Sequence, residues 1–198
     1  MNECSKAAAR RMHTAGFATH YLVGDGLDVG SGSDPLSKVA HLFPLIRSVT
    51  TFDLPDGDAQ LLAKHPDDRF DFLHSSHCLE HVRDPREALR NWVRVVRPGG
   101  HLVVLVPDED LYEQGVWPST FNPDHKHTFT VCKAKSWSPV SVNLTDLFAA
   151  VADRAEVLRV EMLHQTFQRS GTRRDQTLTP VGECATEFVL RKQSGSKE

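Results

Sequence analysis

Two acids and a pair of glycines, set at the ends of short apolar runs, are the residues of this chain best placed to do chemistry. The segment Tyr21-Leu22-Val23-Gly24-Asp25-Gly26-Leu27-Asp28-Val29-Gly30-Ser31-Gly32-Ser33-Asp34-Pro35 closes an apolar run on Asp28 and then alternates glycine with small residues. A carboxylate at a strand end can receive a cation or an amine. Gly30 and Gly32, lacking Cβ, let backbone come close to a small polar ligand. A second run, Val49–Phe52, ends on Asp53, whose carboxylate is placed for both hydroxyls of a ribose. A dinucleotide fingerprint would want glycine or alanine at position 35, where Pro35 stands. A phosphate loop would need Lys-Ser or Lys-Thr, and neither follows.

These residues need a parallel sheet to hold them. Phe70–Ser76 reads as a further strand with a turn after it. Asp84-Pro85-Arg86-Glu87 is a helix start, with Asp84 as cap and Pro85 in the first position. Leu89, Trp92, Val93 and Val96 then mark one buried face, and Gly99 is expected to stop the helix. His101–Pro107 is the next strand, which makes a βαβ unit. Upstream, Ala7–His20 reads as an N-terminal helix, either folded over the ligand or packed beside the first strand. Pro35–Leu45 has room for a short helix. Downstream, Leu111–Thr130 lacks any period and reads as a lid or binding loop. Ser141–Val151 reads as a helix, and Ala155–Met162 and Cys184–Arg191 as an antiparallel strand pair. Ser194–Glu198 is expected to fray.

The motifs taken in order resemble those of class I S-adenosylmethionine-dependent methyltransferases, in particular the small bacterial type-11-like group. The acid-x-Gly-x-Gly loop, Asp53, Gly57-Asp58-Ala59, the turn after Phe70–Ser76 and Arg97-Pro98-Gly99-Gly100 carry the resemblance, which covers about Tyr21 to Asp108. It implies a Rossmann-like, doubly wound α/β fold: a mostly parallel sheet of the seven-stranded type with an antiparallel last strand. The implied cofactor is S-adenosyl-L-methionine, with S-adenosyl-L-homocysteine as product. The implied cofactor contacts are Asp28, Gly30, Ser31 and Gly32 along the loop, and Asp53 on the ribose. Asp58 and Ala59 would meet the adenine, and Ser75, Ser76 and His77 the methionine and methyl end. Only Leu54, Pro55 and Asp56 separate Asp53 from Gly57, so the family's third strand is expected to be reduced or missing. One domain is expected over 1–198: an N-terminal helix at 1–20, a cofactor core at 21–108, a substrate loop at 109–132, and a helix with antiparallel strands at 133–193.

The candidate catalytic residues lie outside the core motifs. Asn122-Pro123-Asp124-His125-Lys126-His127 resembles a segment found after the fifth strand in bacterial members of the family, often beside surface-sugar genes. A neutral imidazole at His125, oriented by the Asp124 carboxylate, suits a general base, with His77 in reserve. His77-Cys78-Leu79-Glu80-His81 formally matches H-x-x-E-H. It straddles a turn instead of lying on a helix and lacks a third ligand, so no metal is expected. Arg169, Arg173 and Arg174 read as a solvated loop.

Composition narrows the classes. The chain has 198 residues, a formal net charge of −3, 39% hydrophobic residues and 25% charged residues. That balance offers no broad pull on nucleic acid. The four cysteines have no pairwise spacing, which fits reduced thiols and a cytoplasmic location. No stretch has membrane-spanning length. The expected reaction is methyl transfer to oxygen or nitrogen of a small-molecule or saccharide acceptor, without nucleic-acid or membrane partners. A cofactor-binding module without chemistry is the alternative. The oligomeric state is not legible in the sequence.

Overall fold

The computed structural model describes residues 2–194. Apart from Ser194, the expected frayed tail lies outside them. Six strands form the main sheet: β1 (Gly24–Val29), β2 (Ile46–Phe52), β3 (Phe70–Ser76), β4 (Val96–Pro107), β7 (Ala155–Leu163) and β8 (Ala185–Lys192). Their order is β2-β1-β3-β4-β8-β7. The first four run parallel, and β8 is antiparallel to both β4 and β7. After β1 the chain goes outward to β2 and then returns across β1 to β3. The crevice at the carboxyl ends of β1 and β3 is therefore the topological switch point, where ligands bind in such sheets.

The alternation of β4 shows why both faces are covered. Leu102, Val104 and Val106 pack into a core with Ala88, Leu89, Trp92 and Val93 of helix α3 (Pro85–Val95) and Leu144 and Leu147 of α4 (Leu144–Ala149). Val103 faces the opposite core, with Cys4 and Ala8 of α1 (Glu3–Met12) and Phe17 of α2 (Phe17–His20). Side chains two apart share a sheet face, so one apolar run supplies two cores. The expected cap on α3 is present, with the Asp84 carboxylate accepting from the amides of Arg86 and Glu87. Gly26 is fixed by packing, because a Cβ there would stand 2.0 Å from Phe72 Cζ.

Several local expectations are corrected. The N-terminal helix is two helices, parted at Gly16, which takes φ +73°. Pro35–Leu45 holds two short 3-10 turns. Helix α3 ends at Val95, because Val96 already pairs with Phe70 and begins β4. The helix expected over Ser141–Val151 starts only at Leu144. The residues before it form β6 (Ser141–Asn143), which pairs in parallel with β5 (Thr128–Thr130). That pairing joins residues from both ends of the irregular loop, which no local period could signal. The third strand is absent as expected: the chain crosses from Asp53 to Phe70 through one 3-10 turn (Leu54–Asp56) and loops.

Candidate active site

Asp28, the last residue but one of β1, has 2% of its surface exposed. Its Oδ2 accepts from the Leu36 amide at 2.7 Å, and its Oδ1 is 2.7 Å from His74 Nδ1. His74 Nε2 lies 3.0 Å from Arg11 Nη1. A guanidinium can only donate, so Nε2 accepts, and the His74 proton sits on Nδ1 and is given to Asp28. Arg11 goes on to Glu187 at 2.7 Å, and Arg10 spans Glu187 and Glu183. Burial opposes the Glu187 charge, but Arg11 and Arg10 hold its carboxyl down at about 2. Asp28 is thus aimed by a buried chain of charges that ties α1 to the sheet. His74, Arg11 and Glu187 carry no motif, and the sequence reading missed them.

The glycine loop is anchored to the end of β2, where the Gly30 and Ser31 amides donate to Phe52 O. Gly30, at φ +73°, presses on the turn after β3, and a Cβ there would fall 2.4 Å from Cys78 Cβ. At Gly32, with φ +49°, a Cβ would meet nothing closer than 3.9 Å, so this residue opens onto the crevice. Its amide donates to Asp53 Oδ2 at 2.9 Å. The Asp53 Oδ1 caps the following turn by accepting from the Leu54 amide. Asp58 is exposed and pairs with Arg83 at 2.6 Å, which holds its carboxyl below the usual range. Helix α1 lies over this loop, with the Ser5 amide and Oγ both donating to the Asp34 carboxylate.

Two clefts meet here. An inner one of about 230 Å³ runs along Asp28, Ser31, Gly32, Ser76 and Glu3. An outer one of about 1090 Å³ is bounded by Asp53, Gly57, Asp58, Ala59 and Arg83. Gly30, His77, His81, Asn122 and His125 line both. Together they exceed the roughly 300–1,000 Å³ of a single small-molecule site, leaving room for a cofactor and an acceptor side by side. Ser75 is a correction: it is buried, donates to Val29 O at 3.0 Å and lines neither cleft.

At the junction the side chains are acids and imidazoles. His77 turns the chain at φ +54° and brings Nδ1 to 3.4 Å from Glu80 Oε1. Burial pulls the His77 imidazole down, yet Glu80 and Glu3 beside it outweigh burial and raise it. Glu80 is fully buried, but its pairing with His77 keeps its carboxyl below the usual range. The loop is sewn to this turn, since Glu80 O accepts from the amides of Lys126 and His127. His125 is buried, with Nδ1 2.8 Å from Glu113 Oε1. Asp124 is exposed, and the carboxylate that holds His125 is that of Glu113. Glu113 ends a π-helical turn (Glu109–Glu113) and has no sequence signal. Arg173 is an anchor instead of a solvated charge: it stacks 4.0 Å over Phe121 and donates to Glu113 O.

A family model described as a methyltransferase domain matches residues 5–169. The chain belongs to this methyltransferase family. Its cofactor is S-adenosylmethionine, and the open backbone at Gly32 beside Asp53 fits such a ligand. The methyltransferase is similar to the ubiquinone/menaquinone biosynthesis C-methyltransferase of Vibrio vulnificus, at 52% identity over 48 residues, 24% of this chain and 18% of that protein. It is also similar to the ubiquinone biosynthesis O-methyltransferase of Proteus mirabilis, at 35% identity over 77 residues, 39% of this chain and 30% of that protein. Each match spans less than a third of the relative's own length. In fold it resembles an S-adenosylmethionine-dependent methyltransferase from Archaeoglobus fulgidus, with TM-score 0.58 and 16% identity over 97% of this chain and 95% of that one. Among the described residues, no helix is long and apolar enough to cross a membrane.

Proposed function

We propose that the protein transfers a methyl group from S-adenosylmethionine to an oxygen, in preference to a nitrogen, of a small hydroxylated acceptor such as a sugar. The observation that carries this reading is the junction of the two clefts, where the buried imidazole of His125 and the partly buried one of His77 border the same space as the glycine loop. The cofactor supplies a methyl group already activated on a sulfonium. The protein's own task is to align the acceptor and remove its proton. Asp28, Gly30, Ser31, Gly32 and Ser76 are assigned to the amino-acid end of the cofactor, and Asp53, Asp58 and Ala59 to its nucleoside. An ionised Glu113 can only accept, so His125 carries its proton on Nδ1 and keeps the Nε2 lone pair for the acceptor hydroxyl. His77 is assigned to the methyl end, and Asp124, exposed at the rim, to the incoming acceptor.

A panel of hydroxylated and amine acceptors, read by release of S-adenosylhomocysteine, tests this. Turnover with hydroxyl acceptors supports it. Turnover with amines alone would overturn the choice of atom. Cofactor binding without turnover on any acceptor would favour the silent module.

A further inference from the structure

We propose that Glu80, His81 and His125 form a binding site for a first-row divalent transition-metal ion at the junction of the two clefts. Among the described residues, they are the one group of three whose ligand atoms all lie within 4.8 Å of one another. The sequence argued against a metal because H-x-x-E-H straddles a turn. The turn itself gathers the ligands: a 3-10 turn (Leu79–His81) follows His77, and the distant loop delivers His125 as the third.

The second observation is electrostatic. Glu80 is fully buried, and neither of its carboxylate oxygens makes a hydrogen bond. Oε1 lies 3.9 Å from both His81 Nε2 and His125 Nε2. The other nitrogen of each ring is committed. His125 Nδ1 meets Glu113 Oε1 at 2.8 Å, and His81 Nδ1 meets the Asp124 carbonyl at 3.2 Å. Both partners accept, so both rings carry a proton on Nδ1 and turn an Nε2 lone pair toward Glu80. The buried Glu80 carboxylate and the two Nε2 lone pairs then face one another with no proton between them. Doubly protonated rings would close hydrogen bonds to Glu80, and neither ring does so. A cation satisfies all three at once.

The geometry and chemistry agree. A tetrahedral site with bonds of 2.0–2.2 Å spaces its ligand atoms about 3.4 Å apart. The observed edges to Glu80 therefore need to contract by about half an ångström. Metal-bound histidines characteristically give their other N–H to a carboxylate or backbone carbonyl, as both rings do here. Two imidazoles with one carboxylate suit zinc, iron, cobalt or manganese better than calcium or magnesium. His81 and His125 line both clefts, so an open coordination position would face the acceptor space. With a metal bound, His125 Nε2 is a ligand and the acceptor proton passes to His77 instead; for that catalytic meaning the inference rests on the function proposed above, whereas the site itself rests on the geometry.

The test uses the full chain, free of any affinity tag, stripped with a chelator and titrated with Co²⁺. The expected result is one Co²⁺ per chain, with visible d–d absorption and no cysteine charge-transfer band, displaced by Zn²⁺. Glu80→Gln and His81→Ala should each weaken Co²⁺ binding by about 100-fold or more, and Glu113→Gln by about 10–100-fold. No binding in the micromolar range, undiminished binding in both ligand variants, or a thiolate band would overturn the site. If Glu80→Gln does not fold, His81→Ala decides, since that side chain is 32% exposed. Calorimetry with S-adenosylhomocysteine on the stripped protein separates the two readings. Failure to bind it would strike the proposed function, while failure to bind Co²⁺ would strike this inference alone.

Discussion

The two ends of the cleft are built differently. The end assigned to the cofactor is made of backbone: the loop amides of Gly30 and Ser31 are tied to β2, the Gly32 amide is tied to Asp53, and glycines stand where a Cβ would clash or close the space. The end assigned to the acceptor is made of side chains gathered from three places, the turn at His77–His81, the π-helical turn ending at Glu113, and the loop at His125. Backbone recognition needs short segments with fixed spacing, so it writes a motif. Side-chain recognition needs only that distant residues meet. It is free to vary with the acceptor while the cofactor end stays constant.

The sharpest way to break this contrast is to damage one end and watch the other. His125→Ala should lower turnover by about 10²–10⁴-fold, the usual worth of a positioned proton transfer. Cofactor affinity in the same variant should stay within about twofold, since no cofactor assignment involves His125. Turnover and calorimetry on one preparation check both halves. A parallel loss of affinity would mean that the two ends are one.

Arg11→Met tests whether the cofactor end rests on the buried charge chain behind it. It leaves Glu187, which has no exposed surface, with only Arg10, and deprives His74 of its donor. A loss of about 3–5 kcal/mol in unfolding free energy is expected, read from urea midpoints. The same chain sets an acid limit. The Glu187 carboxyl is depressed in the folded state from 4.5 to about 2. Its contribution is therefore complete above pH 4.5 and is lost as pH falls toward 2. In Glu187→Gln, that stretch of the stability–pH curve should flatten.

The smallest effects lie on the nucleoside. Asp53→Ala should weaken cofactor binding by about 1–3 kcal/mol, through lost charge-assisted hydrogen bonds. Asp58→Ala should cost less, because that carboxylate is exposed and already shared with Arg83. Equal and negligible effects from both would remove the nucleoside from this cleft.

Legibility in the sequence followed the same division. The order of β1, β2, β3 and β4, the Asp84 cap and the missing third strand were all readable, because each depends on neighbours in the chain. The β5–β6 pair, the split at Gly16 and the early end of α3 were not, since tertiary pairing overrode local propensity there. In the site, Asp28, Gly30, Gly32 and Asp53 stood out by spacing. Asp124 was the natural partner for His125 by adjacency, yet it sits in a turn closed by the His125 amide donating to Asn122 O and stays exposed. The carboxylate that reaches the ring comes from Glu113, 12 positions upstream. His74 was hidden because a histidine inside an apolar strand looks like any core residue until Arg11 and Asp28 are seen on either side of it.

The central claim is that one crevice presents a backbone-built cofactor end to a side-chain-built acceptor end. A crystal structure with S-adenosylhomocysteine bound tests it most directly. The account predicts the ribose hydroxyls against Asp53, the amino-acid end along Asp28 and the glycine loop, and the sulfur toward His77 and His125 with open space beyond it. A product bound elsewhere, or one whose sulfur points away from that junction, would contradict the account.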